Sequence, residues 1–188
     1  MRIGILALQG AVQPHEDKLR ALGIETRQVR TPEQLDGLSG IILPGGESST
    51  MLHLLKLNSL WEPLARFIKE RPTWGLCAGC ILLAKEVSHP AQPSFQAIDI
   101  SVTRNAYGRQ NESFIDRLKS ETGEESIEGV FIRAPRITRV GPGVQKLYSY
   151  KDETVMARQE QVWVSTFHPE LTDSPLLHHK FIETCQDA

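Results

Sequence analysis

Apolar runs and amphipathic segments alternate through the first half of the chain. Four short runs have the character of buried or half-buried strands, and they cover residues 3–8, 24–29, 40–43 and 73–76. Four further segments have helical spacing of apolar residues, and they cover residues 12–22, 49–57, 60–70 and 79–86. Ser48 or Ser49 suits the cap of the second helix. This βαβ rhythm predicts an α/β fold, in which a parallel sheet carries helices on both faces.

The second half of the chain has a different pattern. Six short segments resemble strands separated by polar turns, and they cover residues 97–103, 130–133, 136–140, 145–150, 154–158 and 162–167. They predict an antiparallel or mixed extension of the sheet. Residues 119–129 are acidic and poor in apolar side chains, which indicates an exposed loop. A last helix is predicted over 174–185, begun by Ser174 and Pro175. Because no linker or repeat interrupts the pattern, residues 1–188 are expected to form one domain.

Composition narrows the classes of function. With 188 residues, 40% of them hydrophobic and 23% charged, the chain can bury a core without disulfides or metals. A net charge of -2 offers no basic field for nucleic acid or an anionic membrane, and no apolar run is long enough to span a bilayer. Three cysteines do not suggest a disulfide framework, so a cytoplasmic location is expected. The histidines lack the spacing of metal ligands, and most of them are expected to be solvated.

Cys77 stands between a predicted strand and a predicted helix, with a glycine two residues away on either side. Gly75 and Gly79 leave room for the tight turn of a nucleophile elbow. The sulfur would then lie at a helix N-terminus, where the dipole and free amides favour a thiolate. The backbone amide of Ala78 would point towards an oxyanion formed beside that sulfur.

Two further motifs stand at other predicted strand ends. His168 can exchange a proton with a thiol nucleophile and a leaving amine, and Glu170 can orient the imidazole. Gly45 and Gly46 end a parallel strand, where ligands of open α/β sheets bind, and Gly46 is a candidate for a second oxyanion donor. Each motif alone is more often a turn or a small buried side chain. Together they predict a cysteine nucleophile served by a His–Glu pair.

These motifs resemble those of the class I (triad) glutamine amidotransferases, through residues 75–79 and 168–170. A closer resemblance, to the glutaminase subunits of pyridoxal 5'-phosphate synthases, spans about residues 2 to 182. It rests on the runs Leu8-Gln9-Gly10, Leu43-Pro44-Gly45-Gly46-Glu47-Ser48, Ile81-Leu82-Leu83-Ala84-Lys85, Arg104-Asn105-Ala106-Tyr107-Gly108-Arg109-Gln110, Phe131-Ile132-Arg133-Ala134-Pro135 and Ser165-Thr166-Phe167-His168-Pro169-Glu170-Leu171. The resemblance implies the three-layer, flavodoxin-like fold of the class I amidotransferases.

The resemblance also implies a reaction. Cys77 would attack the side-chain amide of L-glutamine, release ammonia and leave a glutamyl thioester for water to hydrolyse. His168 would be the general acid and base, Glu170 its orienting partner, and the amides of Gly46 and Ala78 the oxyanion hole. Carried over by position, the glutamine-binding residues would be Gly46, Glu47, Ser48, Arg104, Ile132 and Arg133. An arginine and a carboxylate suit a free amino acid, but the sequence leaves open which arginine points inward.

A protein partner is the remaining implication. The ammonia would pass to a separate (β/α)8-barrel synthase that builds pyridoxal phosphate from a pentose phosphate and a triose phosphate. Twelve glutaminase subunits would decorate a synthase dodecamer, and the glutaminase would be poorly active alone. Gln9 is expected to couple docking to formation of the oxyanion hole. Because pyridoxal phosphate would be the product of the complex, neither a cofactor nor a metal is expected on this chain.

Three other interpretations stay open at this point. Cys77 and Cys80 form a C-x-x-C pair at a helix start, the signature of thiol oxidoreductases, although this leaves the glycine loop and His168 without a role. The chain could be a degenerate domain that only binds or regulates a synthase, which the intact triad disfavours. The ammonia could also serve another synthase. Under the glutaminase interpretation, Cys80 is a small core residue and Cys185 is inert.

Overall fold

The computed structural model of the protein describes residues 1–104 and 113–187. The strands and α-helices within these residues are, in chain order, β1 Arg2–Leu6, α1 Val12–Ala21, β2 Glu25–Val29, β3 Gly40–Leu43, α2 Ser48–Leu57, α3 Trp61–Glu70, β4 Thr73–Leu76, α4 Ala78–Leu83, β5 Ala84–Ser88, β6 Ile98–Thr103, β7 Ser113–Ser120, β8 Ile127–Ile132, β9 Arg136–Val140, β10 Gln145–Tyr150, β11 Glu153–Gln159, β12 Val162–Ser165 and α5 Leu176–Gln186. Short 3₁₀ turns cover Pro32–Leu35 and Pro169–Leu171. Asn105 to Gln110, part of one family-like run, lies outside the described residues.

Nine strands form the main sheet, in the order β2-β1-β3-β4-β12-β11-β10-β7-β8. The first five of these run parallel, and the strands from β12 outward pair antiparallel. A smaller sheet has the order β5-β6-β9. This confirms the predicted parallel core with an antiparallel extension. The chain runs from β1 to its neighbour β2 and then crosses back over β1 to β3. Because the connections on the two sides of β1 lead in opposite directions along the sheet, a crevice opens beyond the carboxyl ends of β1 and β3.

Both faces of the parallel strands are buried, which explains their continuous apolar sequence. On β3, Ile41 and Leu43 pack into one cluster with side chains of α2, α3 and α4. Ile42 points the other way, into a second cluster with Leu19 of α1 and Phe181 of α5. The sheet therefore lies between two helical layers, and its strand ends present loops to solvent.

Some predicted boundaries were wrong. The helix predicted over 79–86 ends at Leu83, because Ala84–Ser88 pairs in parallel with β6. The loop predicted over 119–129 is shorter, since its first residues belong to β7 and its last to β8. Strand β7 itself was not predicted. Only Leu118 of that strand is fully buried, so its sequence carries little apolar alternation.

The helix caps also differ from the prediction. The cap of α2 is Glu47 and neither serine, because the Glu47 carboxylate accepts the backbone N–H groups of Ser49 and Thr50. At α5, Pro175 occupies the cap position, and the Ser174 hydroxyl oxygen accepts the Leu176 N–H at 3.3 Å. Within the described ranges, every helix is too short or too polar to cross a lipid bilayer.

Candidate active site

A strained turn presents Cys77 at the carboxyl end of β4. Its backbone has φ 48° and ψ -98°, in the left-handed region that a non-glycine residue adopts at a cost of about 1–3 kcal/mol. Its N–H donates to the Ser165 carbonyl at 2.8 Å, which ties the turn to β12. A Cβ on Gly75 would lie 2.5 Å from the Gly79 oxygen, and one on Gly79 only 2.1 Å from the Leu43 oxygen. The two glycines therefore permit the close packing on which the turn depends, as the sequence predicted.

His168 and Glu170 lie on the loop that follows β12. His168 Nδ1 is 2.7 Å from Glu170 Oε1, and the Glu170 side chain is fully buried. The backbone N–H of His168 donates to the Val130 carbonyl at 2.8 Å. The imidazole also touches the glycine loop after β3, since a Cβ on Gly45 would lie 2.4 Å from His168 Cε1. The imidazole ring is therefore confined between the Glu170 carboxylate and the Gly45 backbone, which carries no side chain.

The electrostatic surroundings of His168 favour its charged form. Burial lowers the pKa of His168, but interactions with Cys77 and Glu170 raise it more, to about 10. The other ring nitrogen, Nε2, is buried and has no hydrogen-bond partner among the described residues. An imidazolium next to a thiol stabilises the thiolate, which is the nucleophilic form of cysteine.

A cavity of about 340 Å³ opens at Cys77 and His168, in the size range of small-molecule sites. Its walls come from the loops after β1, β3 and β4, from α4, from the residue after β6, from β8 with the segment that follows it, and from the loop after β12. The lining residues are Gln9, Gly10, Ala11, Gly45, Gly46, Glu47, Ser48, Cys77, Ile81, Arg104, Ile132, Arg133, Pro135 and His168. The cavity thus gathers every predicted site residue except Ala78 and Glu170. These two are buried directly behind Cys77 and His168.

Glu47 holds a fixed negative charge at the rim of this cavity. Partial burial raises its pKa, but hydrogen bonds from Ser49 and Thr50 outweigh burial and lower the pKa to about 2. Arg104 Nη2 donates to Glu47 Oε1 at 3.1 Å, with only 11% of the Arg104 side chain exposed. Arg133 is exposed and has a positive φ of 46°. Both arginines line the cavity, and Arg104 is held in place by the Glu47 carboxylate.

Gln9 and Ser48 are engaged by hydrogen bonds at the same rim. Gln9 Oε1 accepts the Glu47 N–H at 2.8 Å, and a Cβ on Gly46 would lie 2.4 Å from that oxygen. The Ser48 hydroxyl donates to Gln92 Oε1 at 3.0 Å. The Gln9 carbonyl therefore covers the backbone of Gly46 and Glu47 on the side where the cavity opens.

Two buried histidines that were not predicted from the sequence lie next to the His168–Glu170 pair. His15 of α1 and His178 of α5 are completely buried, so the expectation that most histidines are solvated was wrong for both. The burial of His15 could have been predicted from the sequence, because His15 precedes Leu19 by four residues and shares its helical face. His179, the neighbour of His178, is exposed as expected.

The remaining cysteines lie in the core and are unpaired. Burial, together with the nearby Cys77, raises the pKa of the Cys80 thiol, and burial raises that of Cys185 to about 12. Neither thiol is thus suited to redox exchange near neutral pH, which requires a thiolate. Across residues 1–104 and 113–187, no group of three or more His, Cys, Asp or Glu side chains is arranged to hold a metal ion.

Comparison with known proteins places this chain in a family. A model of the SNO glutamine amidotransferase family matches residues 5–187. A protein of Carboxydothermus hydrogenoformans named pyridoxal 5'-phosphate synthase subunit PdxT is 51% identical over 185 residues, with 97% of each chain covered. The Deinococcus radiodurans protein of the same name is 48% identical over 188 residues, covering 97% of this chain and 96% of that one.

Solved structures agree with the sequence relatives. A crystal structure described as a glutamine amidotransferase superposes with a TM-score of 0.91 at 44% identity, covering 98% of each chain. PurLQS from Thermotoga maritima, at 16% identity and a TM-score of 0.72, shares the fold. These matches confirm the fold class that the resemblance implied. The chain belongs to the SNO glutamine amidotransferase family.

Proposed function

We propose that the protein hydrolyses L-glutamine to glutamate and ammonia, and that it supplies the ammonia to a pyridoxal 5'-phosphate synthase. The observation that carries the proposal is the strained Cys77 beside the His168–Glu170 pair, at the floor of a cavity with glycine backbone on one wall. The names of the relatives, pyridoxal 5'-phosphate synthase subunit PdxT, support the destination of the ammonia. The three free cysteines fit a reducing compartment such as the cytoplasm.

In the proposed reaction, Cys77 is the nucleophile and His168 transfers the protons. The thiolate adds to the side-chain carbonyl carbon of glutamine and forms a tetrahedral intermediate. The imidazolium of His168 then gives its proton to the departing nitrogen, so that ammonia leaves and a glutamyl thioester remains. Water, deprotonated by the now neutral His168, hydrolyses the thioester to glutamate and restores the thiolate–imidazolium pair. Glu170 keeps Nδ1 of the ring occupied throughout, so that Nε2 is the nitrogen that acts.

Two backbone amides are proposed to stabilise the oxyanion. The amide of Ala78 belongs to the first turn of α4, where N–H groups have no partner within the helix. The amide of Gly46 would supply the second donor, and removal of one such donor costs about 10²–10³ in kcat. Gln9 lies against this loop, where its Oε1 accepts a hydrogen bond from the Glu47 N–H. We propose that docking of the synthase moves Gln9 and completes the oxyanion hole.

We propose that the charged rim of the cavity binds the α-carboxylate and α-ammonium groups of glutamine. Arg104, held by Glu47 at 3.1 Å, can donate a charge-assisted pair of hydrogen bonds to the α-carboxylate. The ionised Glu47 supplies the negative field that an α-ammonium needs. Ser48, Ile132 and Arg133 would complete the site. We propose twelve such subunits on a dodecameric barrel synthase.

The decisive experiment measures glutamate release from L-glutamine, with and without the cognate synthase subunit. Wild-type activity is expected to rise on addition of the synthase and to vanish in Cys77→Ala. Cys80→Ala serves as the matched control, because it removes a neighbouring thiol that does not line the cavity, and it is expected to keep its activity. Equal activity with and without the synthase would contradict the partner assignment. Absence of activity in a demonstrated complex would contradict the glutaminase itself.

Coupling through Gln9 is tested separately with Gln9→Ala. If Gln9 links docking to the oxyanion hole, this variant should bind the synthase but lose most of the stimulation of glutamate release. Stimulation equal to that of wild type would exclude the role. Binding is measured by sedimentation of the complex, so that a docking defect is distinguished from a coupling defect.

A further inference from the structure

Two histidines extend the His168–Glu170 pair into the core. Glu170 uses Oε1 for His168, and its second oxygen, Oε2, lies 3.7 Å from His15 Nε2. His15 Nδ1 is in turn 3.0 Å from His178 Nε2. Cys77, His168, Glu170, His15 and His178 therefore form one continuous series from the cavity to the interior. The proposed glutaminase reaction uses only Cys77, His168 and Glu170.

Trp74 of β4 holds both rings in place. Its indole meets the His15 ring at a centroid distance of 6.5 Å and the His178 ring at 5.2 Å, in edge-on arrangements of 71° and 64°. Trp74 is itself fixed, since its Nε1 donates to the Ser165 hydroxyl at 3.2 Å. The two imidazoles thus occupy defined orientations between α1, α5 and the sheet.

Burial favours the neutral form of both histidines. Burial lowers the pKa of His15 well below its usual value, and His178, His168 and Lys18 lower it further. Burial and the positive charge of Lys18 lower the pKa of His178 to about 3. Within this series, the carboxylate facing His15 is that of Glu170, whose charge His168 already balances at 2.7 Å. A proton on either buried ring would therefore have no uncompensated negative partner in this group.

The neutral state fixes which nitrogen carries each proton. With a proton on Nδ1, His15 would turn the lone pair of Nε2 towards a carboxylate oxygen 3.7 Å away, in a site without water exposure. With a proton on Nε2, it directs a positive N–H edge at that oxygen and accepts at Nδ1 the N–H of His178 Nε2. On the interior side of Glu170 the two donors then point the same way, from His178 to His15 and from His15 to Glu170.

We propose that His15 is a positioning residue for the glutaminase reaction, held as the Nε2–H tautomer by His178 and anchoring the free oxygen of Glu170. The inference rests on the proposed function for its kinetic consequence. Glu170 Oε2 and His15 Nε2 are both buried without a hydrogen-bond partner in the described part of the chain, and they face each other at 3.7 Å. In this proposal the attraction of the His15 N–H edge for the free oxygen limits rotation of the carboxylate. A rotated carboxylate would release His168 Nδ1 and misalign Nε2 with the sulfur.

The first test compares two replacements of His15. In His15→Gln the side-chain amide nitrogen takes approximately the place of Nε2, whereas His15→Leu removes the donor at similar size. We expect His15→Leu to lower kcat at least tenfold with a KM for glutamine within about threefold of wild type, because proton transfer contributes about 10²–10⁴ to the rate. His15→Gln should recover most of kcat. His179→Leu, an exposed histidine on α5, is the matched control and should behave as wild type.

The outcomes separate positioning from packing. Equal losses in His15→Leu and His15→Gln, or full activity in His15→Leu, would overturn the proposal. If His15→Leu does not fold, long-range ¹H–¹⁵N spectra of the wild-type protein still test the proposal, because they report the tautomer and charge of His15. A neutral Nε2–H tautomer at His15 between pH 6 and 9 is expected, and an Nδ1–H tautomer or a charged ring would overturn it.

A second readout does not depend on glutamine. Iodoacetamide reacts with the thiolate form of a cysteine, and an imidazolium aligned with a thiol favours that form. Alkylation of the Cys77 peptide at neutral pH should be slower in His15→Leu than in His15→Gln, and unchanged rates in both would count against positioning. Should wild type release no glutamate with its synthase, the proposed function fails, whereas the spectra and the alkylation rates still test the role of His15.

Discussion

Replacement of Gly45 by alanine is a sharp test of how the site is assembled. Gly45 follows β3, and a Cβ built on it would stand 2.4 Å from His168 Cε1 and 3.1 Å from Nδ1. Ordinary carbon contacts begin near 3.4 Å, so the imidazole has to move by about 1 Å. Gly45 has no positive φ, which means that the added methyl group acts through the ring and leaves the local backbone unstrained.

The size of the effect follows from this displacement. A catalytic group misplaced by about 1 Å costs roughly 100-fold in rate, which corresponds to about 2.7 kcal/mol of transition-state stabilisation. Crowding a packed site also costs about 1–3 kcal/mol of folding stability. We therefore expect kcat/KM of Gly45→Ala to fall about 100-fold while the protein still folds. The assay is glutamate release in the presence of the synthase, with urea unfolding run in parallel.

Gly37→Ala provides the control for a merely unstable variant. A Cβ at Gly37 meets nothing within 4 Å, but its φ of 72° disfavours alanine, so this variant should lose about 1 kcal/mol of stability and keep its activity. Near wild-type kcat/KM in Gly45→Ala would refute the argument, because it would mean that the His168 ring does not need the position seen here.

Three further predictions address the charges and thiols of the site. His168 has a pKa of about 10 in the folded protein and 6.5 in the unfolded chain. Between these pH values the native state therefore binds one proton more than the unfolded state. The stability that His168 contributes is complete below pH 6.5 and is lost as the pH rises towards 10. Urea titrations of wild type and His168→Gln should therefore converge with rising pH, and a difference that grows instead would contradict the sign. Arg104→Ala should raise the KM for glutamine at least tenfold, since a charge-assisted hydrogen bond is worth about 1.5–3 kcal/mol; an unchanged KM in saturation kinetics would exclude Arg104 from the substrate site. Cys80→Ala should keep kcat within about twofold, and complete loss of glutamate release would restore the dithiol interpretation.

The strands and the site motifs were predictable from the sequence where local chemistry and long-range structure require the same residues. Parallel strands covered on both faces require apolar runs, and these were visible in the first half of the chain. A tight strand-to-helix turn requires glycines on both sides of Cys77, and both are present. Strand ends meet at one edge of a parallel sheet, so the motifs at Gly45, Cys77 and His168 could be assigned to a common site before any distance was known.

The sequence by itself therefore determined the α/β architecture, and it predicted the nucleophile and the His–Glu pair that the structure brings together. Tertiary structure alone decided that Glu47, the cap of α2, also binds Arg104, because that pairing depends on a side chain 57 residues further along the chain. It also decided that β5 and β7 are strands, since pairing with neighbours outweighs their weak local preference. His15 and His178, separated by 163 residues, meet behind Glu170 only because α1 and α5 pack on the same face of the sheet. Proximity of this kind arises from chain packing, and no local pattern encodes it.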